Sequence, residues 1–545
     1  MSERTAVDIR DLDVTFATDG GDVNAVRGVS LSVDAGEVLA VVGESGSGKT
    51  VTARSALRML PSTAEVTGAI LLSGNDVVEL SSERLRRLRG AEAAMIFQEP
   101  MTALNPVFPV GWQIIEGLRA HEKISRKEAR SRAIDILRRV GIPAPEERVD
   151  HYPHQFSGGQ KQRVVIAQAL VLNPRVIIAD EPTTALDVTV QAEILDLLRR
   201  ARSEFGAAIM LITHNMGVVA DLADRVAVMY QGEIVETAPV EELFAQPKHE
   251  YTQKLLAAVP RLTVADRAYP GDEDAAPVVT ATHLEIEYPG RFGRSGFRAV
   301  DDVTFDIRPG EVLGLVGESG SGKTTIGRAM AALAPVTGGS LKVLGTELNG
   351  VRERDFRPLR REIGFVFQDP GSSFNPLLTI GACVAEPMLV HGHSQADADK
   401  RVGELLEAVR LPREFAERFP HELSGGQRQR ASLARALTLE PKLVIADEPT
   451  SALDVSVQAT VLELFTELQQ QFGFAALFIT HDLAVVDMLA HRIVVLHHGR
   501  IAEQGRTADV LGSPRDSYTQ RLLASLPVPD PAAQALRRND WEALR

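Results

Sequence analysis

One octapeptide occurs twice in this chain. GESGSGKT runs from Gly43 to Thr50 and again from Gly317 to Thr324, which sets Lys49 and Lys323 274 residues apart. FSGGQKQR and LSGGQRQR place Ser157 and Ser424 267 residues apart; IIADEPTTALDV and VIADEPTSALDV place Asp180 and Asp447 at the same 267, as do His214 and His481. An echo this long means that one fold is built twice. The segment from the lysine to SGGQ is seven residues shorter in the second copy, whereas the segment from SGGQ to the histidine has one length in both. Insertions therefore belong to the middle of each copy. The echo runs on through HEYTQKLLAAVP, His249 to Pro260, and DSYTQRLLASLP, Asp516 to Pro527. The expected organisation is a first domain over 1–260, a linker over 261–279 that contains the Pro- and acid-rich PGDEDAAP, a second domain over 280–530 and a short extension over 531–545.

Two large, multi-lobed domains suit 545 residues that are 44% hydrophobic and 24% charged, an ordinary globular composition. No run of 18 apolar residues is present and MSERTAVDIR has no apolar leader core, so the chain is expected to remain in the cytosol. The single cysteine, Cys383, excludes an intrachain disulfide and any multi-cysteine metal site made by this chain alone. It is expected to be a packed, inert thiol. A net charge of -14 disfavours general binding to nucleic acid or anionic lipid, whose affinity rests on Lys and Arg.

Each copy reads as α/β. Val38 to Val42, Val176 to Ala179 and Ile209 to Thr213 are short, branched and apolar on both faces, as buried parallel strands are, and Val312 to Val316, Leu443 to Ala446 and Leu477 to Thr480 match them. Between Met101 and Pro153 the period changes: Ala129, Ala133, Ile136, Leu137 and Val140 fall on one helical face. A helical lobe thus separates the two blocks of motifs.

The residues Gly43, Glu44, Ser45, Gly46, Ser47, Gly48, Lys49 and Thr50, with Gly317, Glu318, Ser319, Gly320, Ser321, Gly322, Lys323 and Thr324, form G-x-x-x-x-G-K-T after an apolar run. This is a phosphate-binding loop: its glycines let successive backbone N–H groups converge on phosphates, and a following helix adds its positive end. Lys49 and Lys323 are expected to reach the β- and γ-phosphates, and the hydroxyls of Thr50 and Thr324 to ligate Mg²⁺. One such match also fits a flexible glycine loop with a solvated lysine; two identical ones in matching context do not. Asp180 and Asp447 each close an apolar strand and suit the Mg²⁺ shell, and Glu181 and Glu448 suit a general base that polarises the attacking water. A lone DE pair is as well read as surface charge, so the weight lies in the repetition. His214 and His481 are expected near the γ-phosphate, although a single histidine at a strand end is commonly structural. Gln98 and Gln368 end the strand-like runs AMIFQ and GFVFQ, where an amide can touch a metal-bound water. Ser157, Gly158, Gly159 and Gln160, with Ser424, Gly425, Gly426 and Gln427, supply a hydroxyl and glycine N–H groups ahead of a helix, which is either a second anion cradle or an ordinary helix cap.

P-loop, glutamine, SGGQ, D-E and histidine in this order resemble the nucleotide-binding subunits of ABC transporters over almost the whole of both halves. The resemblance implies two tandem P-loop NTPase domains, each with a RecA-like core, an antiparallel β lobe and a helical lobe, that bind ATP and Mg²⁺. It also implies a head-to-tail sandwich. One site would join Lys49, Thr50, Gln98, Asp180, Glu181 and His214 to Ser424, Gly425, Gly426 and Gln427; the other would join Lys323, Thr324, Gln368, Asp447, Glu448 and His481 to Ser157, Gly158, Gly159 and Gln160. Asp187 and Asp454 would bridge the halves, and Phe16 and Tyr288 match the aromatic that stacks on adenine. QEPMTALNPVFPVG, QDPGSSFNPLLTIG, the YPHQFSGG and FPHELSGG lead-ins and the doubled YTQ tail resemble the ATPases of oligopeptide, dipeptide and nickel importers. His154 and His421 in those lead-ins read as structural. Many relatives carry a C-terminal cysteine cluster for an iron-sulfur centre, and this chain departs from them there. The implied role is the motor of an importer for peptides or related solutes (glutathione, nickel chelates, haem) at the cytoplasmic face of the membrane. Two membrane permease subunits would dock near the Gln98 and Gln368 loops, and an extracytoplasmic binding protein would deliver the solute. A soluble tandem ATPase acting on ribosomes is the alternative, but residues 261–279 are too short and too acidic for the charged helical linker of that class.

Overall fold

The computed structural model describes residues 5–18, 20–184, 186–272, 274–290, 296–451 and 453–544. The chain divides into two units, one of 1–186, 190–259 and 527–542, the other of 187–189, 260–526 and 543–545.

In the first unit a six-stranded sheet has the order Glu233–Pro239, Arg225–Tyr230, Val38–Val42, Ala208–Ile212, Val176–Asp180, Ala93–Ile96. All neighbours are parallel except the outermost pair, Glu233–Pro239 on Arg225–Tyr230. The three central five-residue strands are buried along their whole length, which is why their sequences do not alternate. A separate four-stranded antiparallel sheet has the order Gly21–Asp34, Thr5–Thr18, Ala64–Leu72, Asn75–Asp76. The second unit repeats both sheets with the same orders, Arg500–Arg506, Arg492–His497, Val312–Val316, Ala475–Ile479, Leu443–Asp447, Ile363–Val366 in the larger and Phe297–Ile307, Val279–Tyr288, Gly338–Val343, Thr346–Glu347 in the smaller.

The helical lobe stands where the change of period places it. Ser125 caps the helix Arg126–Arg139 by accepting from the Glu128 amide at 3.2 Å, and the helix buries Ala129, Ala133, Ile136 and Leu137, with Val140 at its end. Two expected strand ends differ from the structure. Thr213 and Thr480 lie beyond their strands, because each hydroxyl accepts the amide two residues on, that of Asn215 or Asp482, at 3.0 Å and turns the chain into the next helix. Asn215 and Asp482 then cap those helices.

Segments between and after the domains are bonded in place. In the second unit the amides of Thr263 and Val264 and the Thr263 hydroxyl converge on Asp487 Oδ2 at 2.6, 2.9 and 3.0 Å, and Tyr269 Oη donates to the Pro309 carbonyl at 2.5 Å. In the first unit a helix begins at Pro531; Gln534, 7% exposed, folds back to accept from the Val528 amide at 2.8 Å. Cys383 is buried between helices of the second unit, and its burial pushes the thiol up.

Candidate functional site

Parallel register brings the motifs together. Val41 is opposite Ile212, and Ile212 is opposite Asp180, so three adjacent strands end level with one another. Just beyond those ends come the phosphate loop, His214 and the Asp180–Glu181 pair, and the next strand, Ala93–Ile96, leads to Gln98. The carboxyl edge of a parallel sheet is where α/β proteins place their ligands. The second unit has the same arrangement, with Leu315 opposite Ile479 and Ile479 opposite Asp447.

The phosphate loops need their glycines. Gly43 and Gly317 sit at φ +150°, and a Cβ at either would lie 2.1 Å from a carbonyl oxygen, that of Met229 or Leu496. Gly48 and Gly322, at φ +102° and +105°, form the N-caps of the helices that start at Lys49 and Lys323. Lys49 and Lys323 are buried, and each ammonium donates to two loop carbonyls, of Gly43 and Glu44 at 2.8 and 2.7 Å and of Gly317 and Glu318 at 2.8 Å each. Burial lowers the pKa of Lys323 against the opposing pull of Glu448 and Asp447.

Thr50 Oγ1 donates to Asp180 Oδ1 at 2.9 Å, and Thr324 Oγ1 to Asp447 Oδ1 at 3.0 Å. Both aspartates are buried, and burial raises their pKa despite these bonds. Asp180 Oδ2 is buried with no hydrogen-bond partner among the described residues.

Glu181 holds several donors. Gln98 Nε2 and Thr184 Oγ1 both donate to its Oε2 at 2.9 Å, and His214 Nδ1 is 3.2 Å from Oε1. Burial alone would push this carboxyl up; the His214 hydrogen bond and charge, the Thr184 hydroxyl and the Lys49 charge hold it below the usual carboxylate range. In the second unit Gln368 Nε2 donates to Glu448 Oε2 at 3.0 Å and His481 Nδ1 lies at 3.5 Å, while the Ser451 hydroxyl turns to the Glu448 backbone carbonyl instead. Burial pulls His481 down, but the bond to Glu448 and its charge hold the imidazole above its ordinary value. Both glutamates have positive φ, +48° and +45°, which costs about 1 kcal/mol or more in a residue with a long side chain.

Ser157 and Ser424 lie in other parts of their units, at the N-termini of the helices Gly158–Leu170 and Gly425–Leu437. Each is half of a capping box: the Gln160 and Gln427 amides donate to the serine hydroxyls at 3.3 Å, and the glutamine carbonyls accept from the serine amides at 3.2 and 2.9 Å. Gly159 and Gly426 are needed for packing, since a Cβ would lie 2.6 and 2.3 Å from Val190 and Val457. Asp187 immediately precedes the helix Val188–Phe205, and Asp454 is the N-cap of Val455–Phe472. Phe16 pairs with Val23, two residues along the strand from Ala25, whose carbonyl faces Gly48; Tyr288 pairs with Phe297, two residues from Ala299, whose carbonyl faces Gly322. His154 and His421 stack on Tyr152 and Phe419 in short turns.

Three residues of the site escape sequence reasoning. Thr184 binds the Glu181 carboxylate, and its only signal is the first TT of DEPTT against the TS of the second copy. Tyr251 and Tyr518 accept hydrogen bonds from the backbone amides of Glu44 and Glu318 inside the phosphate loops, at 2.9 and 3.0 Å.

Two copies of a phosphate loop, each joined to a Thr–Asp pair and a Gln–Glu–His cluster on a parallel sheet, define a tandem P-loop nucleoside triphosphatase. Comparison with known proteins narrows this class. The family description "ABC transporter" matches residues 26–184 and 300–451, and "Oligopeptide/dipeptide transporter, C-terminal region" matches 235–284 and 502–543. The chain is 46% identical to the glutathione import ATP-binding protein GsiA of Pectobacterium atrosepticum, over 98% of this chain and 91% of that protein. It is 47% identical to the GsiA of Salmonella typhimurium over 99% and 92%, and 46% identical to that of Escherichia coli over 97% and 91%. Among solved structures, the dimeric post-hydrolysis state of the ATP-binding cassette MJ0796 bound to ADP and Pi matches 42% of this chain and 98% of its own, with 31% identity and a TM-score of 0.39. The chain belongs to the ABC transporter family, as an ATP-binding, ATP-hydrolysing protein with two cassettes.

Proposed function

We propose that this chain is the motor of an importer for glutathione or other short peptides, working at the cytoplasmic face of a membrane. What supports the solute class is the doubled oligopeptide/dipeptide C-terminal region and the glutathione-import names of the relatives. Among the described residues no helix is long and apolar enough to cross a membrane, so transmembrane permease subunits provide the pathway. The segment after Gln98 leaves Met101, Val107 and Trp112 exposed, with Trp112 stacked on Phe108 at 4.1 Å, and the segment after Gln368 leaves Leu377 82% exposed. Large apolar side chains held in water on these loops suit two docking sites for permease helices. A solute-binding protein outside the membrane delivers cargo to that pathway.

In this reading the loop amides of residues 43–50 and 317–324 hold the phosphates, and Lys49 and Lys323 leave their loop carbonyls for the phosphate oxygens. Thr50, Asp180 and Gln98, and Thr324, Asp447 and Gln368, fit a Mg²⁺ site, and the partnerless Oδ2 of Asp180 is the observation in favour. The ion, when bound, neutralises charge on the β- and γ-phosphates. Glu181 and Glu448, ionised by their neighbours, accept a proton from the attacking water, while His214 and His481 orient those carboxylates and face the γ-phosphate. The SGGQ segments, Asp187 and Asp454 complete the nucleotide sites, and Phe16 and Tyr288 take the adenines.

The Gln98–Glu181–His214 cluster beside Lys49 carries the proposal. Its test is reconstitution: the chain with its permeases and binding protein in vesicles should take up glutathione only with ATP and Mg²⁺. Uptake indifferent to ATP, or co-purification with ribosomes and no membrane partner, would overturn it.

A further inference from the structure

The doubled YTQ segment has no place in the chemistry above, yet the structure carries its tyrosine into the phosphate loop. We infer that Tyr251 and Tyr518 are positioning residues that lock one peptide unit of each phosphate loop through the phenolic oxygen. This rests on the phosphate-loop assignment.

Both tyrosines lie in the first turn of short helices, Glu250–Ala257 and Ser517–Ala524. Each is held from its own backbone, since the Tyr251 amide donates to His249 Nδ1 at 3.1 Å and the Tyr518 amide to Asp516 Oδ1 at 2.8 Å. Each ring is clamped by a second ring, Tyr230 at 4.2 Å or His497 at 3.9 Å, and the two residues are 9% and 5% exposed. The orientation of the phenolic oxygen is thereby fixed before any ligand arrives.

That oxygen accepts from the Glu44 or Glu318 N–H, across 207 and 200 residues of sequence. The other end of the same peptide unit, the Gly43 or Gly317 carbonyl, accepts from Lys49 or Lys323 at 2.8 Å. Gly43 and Gly317 have no Cβ to restrict this unit, and their φ of +150° is open to glycine. When the lysine ammonium moves to a phosphate, its grip on the carbonyl is released and the tyrosine keeps the unit from rotating. A unit free to rotate would loosen the loop on which the neighbouring amides converge. The same contact recurs in two copies whose ring partners differ, tyrosine in one and histidine in the other. It is the hydroxyl, not a particular ring stack, that the copies share.

The test uses the full chain with Tyr251→Phe, Tyr518→Phe and the double variant, which keep the rings and remove the oxygens. Tyr269→Phe is the control: it removes a phenolic hydroxyl that donates to the Pro309 carbonyl, outside the phosphate loops. At a temperature well below melting, the double variant should raise the ATP KM and the Kd of a fluorescent ATP analogue about 3- to 10-fold, the worth of one hydrogen bond, with kcat within about twofold. The single variants should each show part of that shift, so the reading survives poor folding of the double. A lowered melting temperature with KM and Kd unchanged would mean that the hydroxyl is merely structural and would overturn the inference. Lys49→Ala with Lys323→Ala serves as a separate arm: full ATP binding there would sink the phosphate-loop assignment itself, whatever the tyrosines do.

Discussion

Replacing Glu181 and Glu448 by glutamine separates chemistry from architecture in this site. Glu181 Oε2 accepts from Gln98 and Thr184, and Oε1 faces His214 Nδ1. A glutamine of the same shape keeps both donors if its carbonyl oxygen takes the Oε2 position, and its NH₂ then donates to Nδ1 of a neutral His214. The network survives with a neutral bond in place of a charge-assisted one, a loss of about 1 kcal/mol per site and about 2–4 °C in melting. The chemistry does not survive, because an amide cannot take the proton of the attacking water. Loss of a positioned base lowers the rate by about 10² to 10⁴, or about 2.7 to 5.4 kcal/mol of barrier. Phosphate release at saturating ATP and Mg²⁺, measured beside a fluorescent-nucleotide titration, should show hydrolysis reduced by that factor and binding close to that of the unmodified protein. Turnover within tenfold of normal, with binding intact, would refute the assignment of the base.

The other expectations concern backbone, burial and pH. Gly43→Ala puts a Cβ 2.1 Å from the Met229 carbonyl oxygen; the loop must deform, so ATP binding in that site should fall by more than tenfold, whereas Gly117→Ala, in open space in a helix, should leave a binding titration unchanged. Asp221 is buried with Arg199 at 2.5 Å and Arg538 at 3.8 Å, so Arg199→Met removes the nearer of two cations from a buried carboxylate and should cost about 1–3 kcal/mol in urea unfolding. Arg199→Met joined to Asp221→Leu should recover part of that loss; no recovery would refute the ion-pair account. His481 is raised by Glu448, so the pair stabilises the fold fully below about pH 6.5 and less as pH rises through the raised value. His481→Gln should flatten that alkaline decline in melting temperature. Glu448 is lowered, and its contribution, present above about pH 4.3, is lost as pH falls through its folded value.

What could be read in advance follows the range of the interactions. The phosphate loop is a local structure, in which eight consecutive residues determine the turn, the φ values and the helix start, and the buried strands betray themselves by unbroken apolar runs. Strand ends were less legible: Thr213 and Thr480 look like strand residues by composition, but their hydroxyls compete with the ladder for the backbone two residues on. Segment 261–279 reads as a short linker from its Pro, Gly and acid content, and that content carries no trace of the bonds that Thr263 and Val264 make to a buried aspartate more than 200 residues away. The hydroxyl that Tyr251 brings to Glu44 likewise comes from a part of the chain with no fixed spacing to the loop. Thr184 and Ser451 differ by one methyl group, yet one bonds a carboxylate and the other a carbonyl; rotamer choice of this kind leaves no periodic trace.

Register explains why the two copies keep one spacing in one stretch and not in another. Asp180, Ile212 and Val41 are level across three buried strands, and Asp447, Ile479 and Leu315 repeat the alignment. A slip of one residue in any of these strands would withdraw its motif by about 3.3 Å and exchange the faces of its side chains. The helix Val188–Phe205 must span the distance from the end of one strand to the start of its neighbour, and its counterpart Val455–Phe472 has the same 18 residues. Length is therefore constrained wherever the chain passes between strands that bear the site. The stretch between the lysine and SGGQ is under less constraint, because it runs through the small sheet and the helical lobe: there Ser82–Leu88 in one copy stands against Glu353–Phe356 and a 3₁₀ turn in the other. Seven residues can be lost in that region because Gln98 and Gln368 still reach their glutamates at 2.9 and 3.0 Å from the ends of the edge strands. The conserved distance and the variable one thus have a single cause, the parallel sheet that must bring four strand ends to one place.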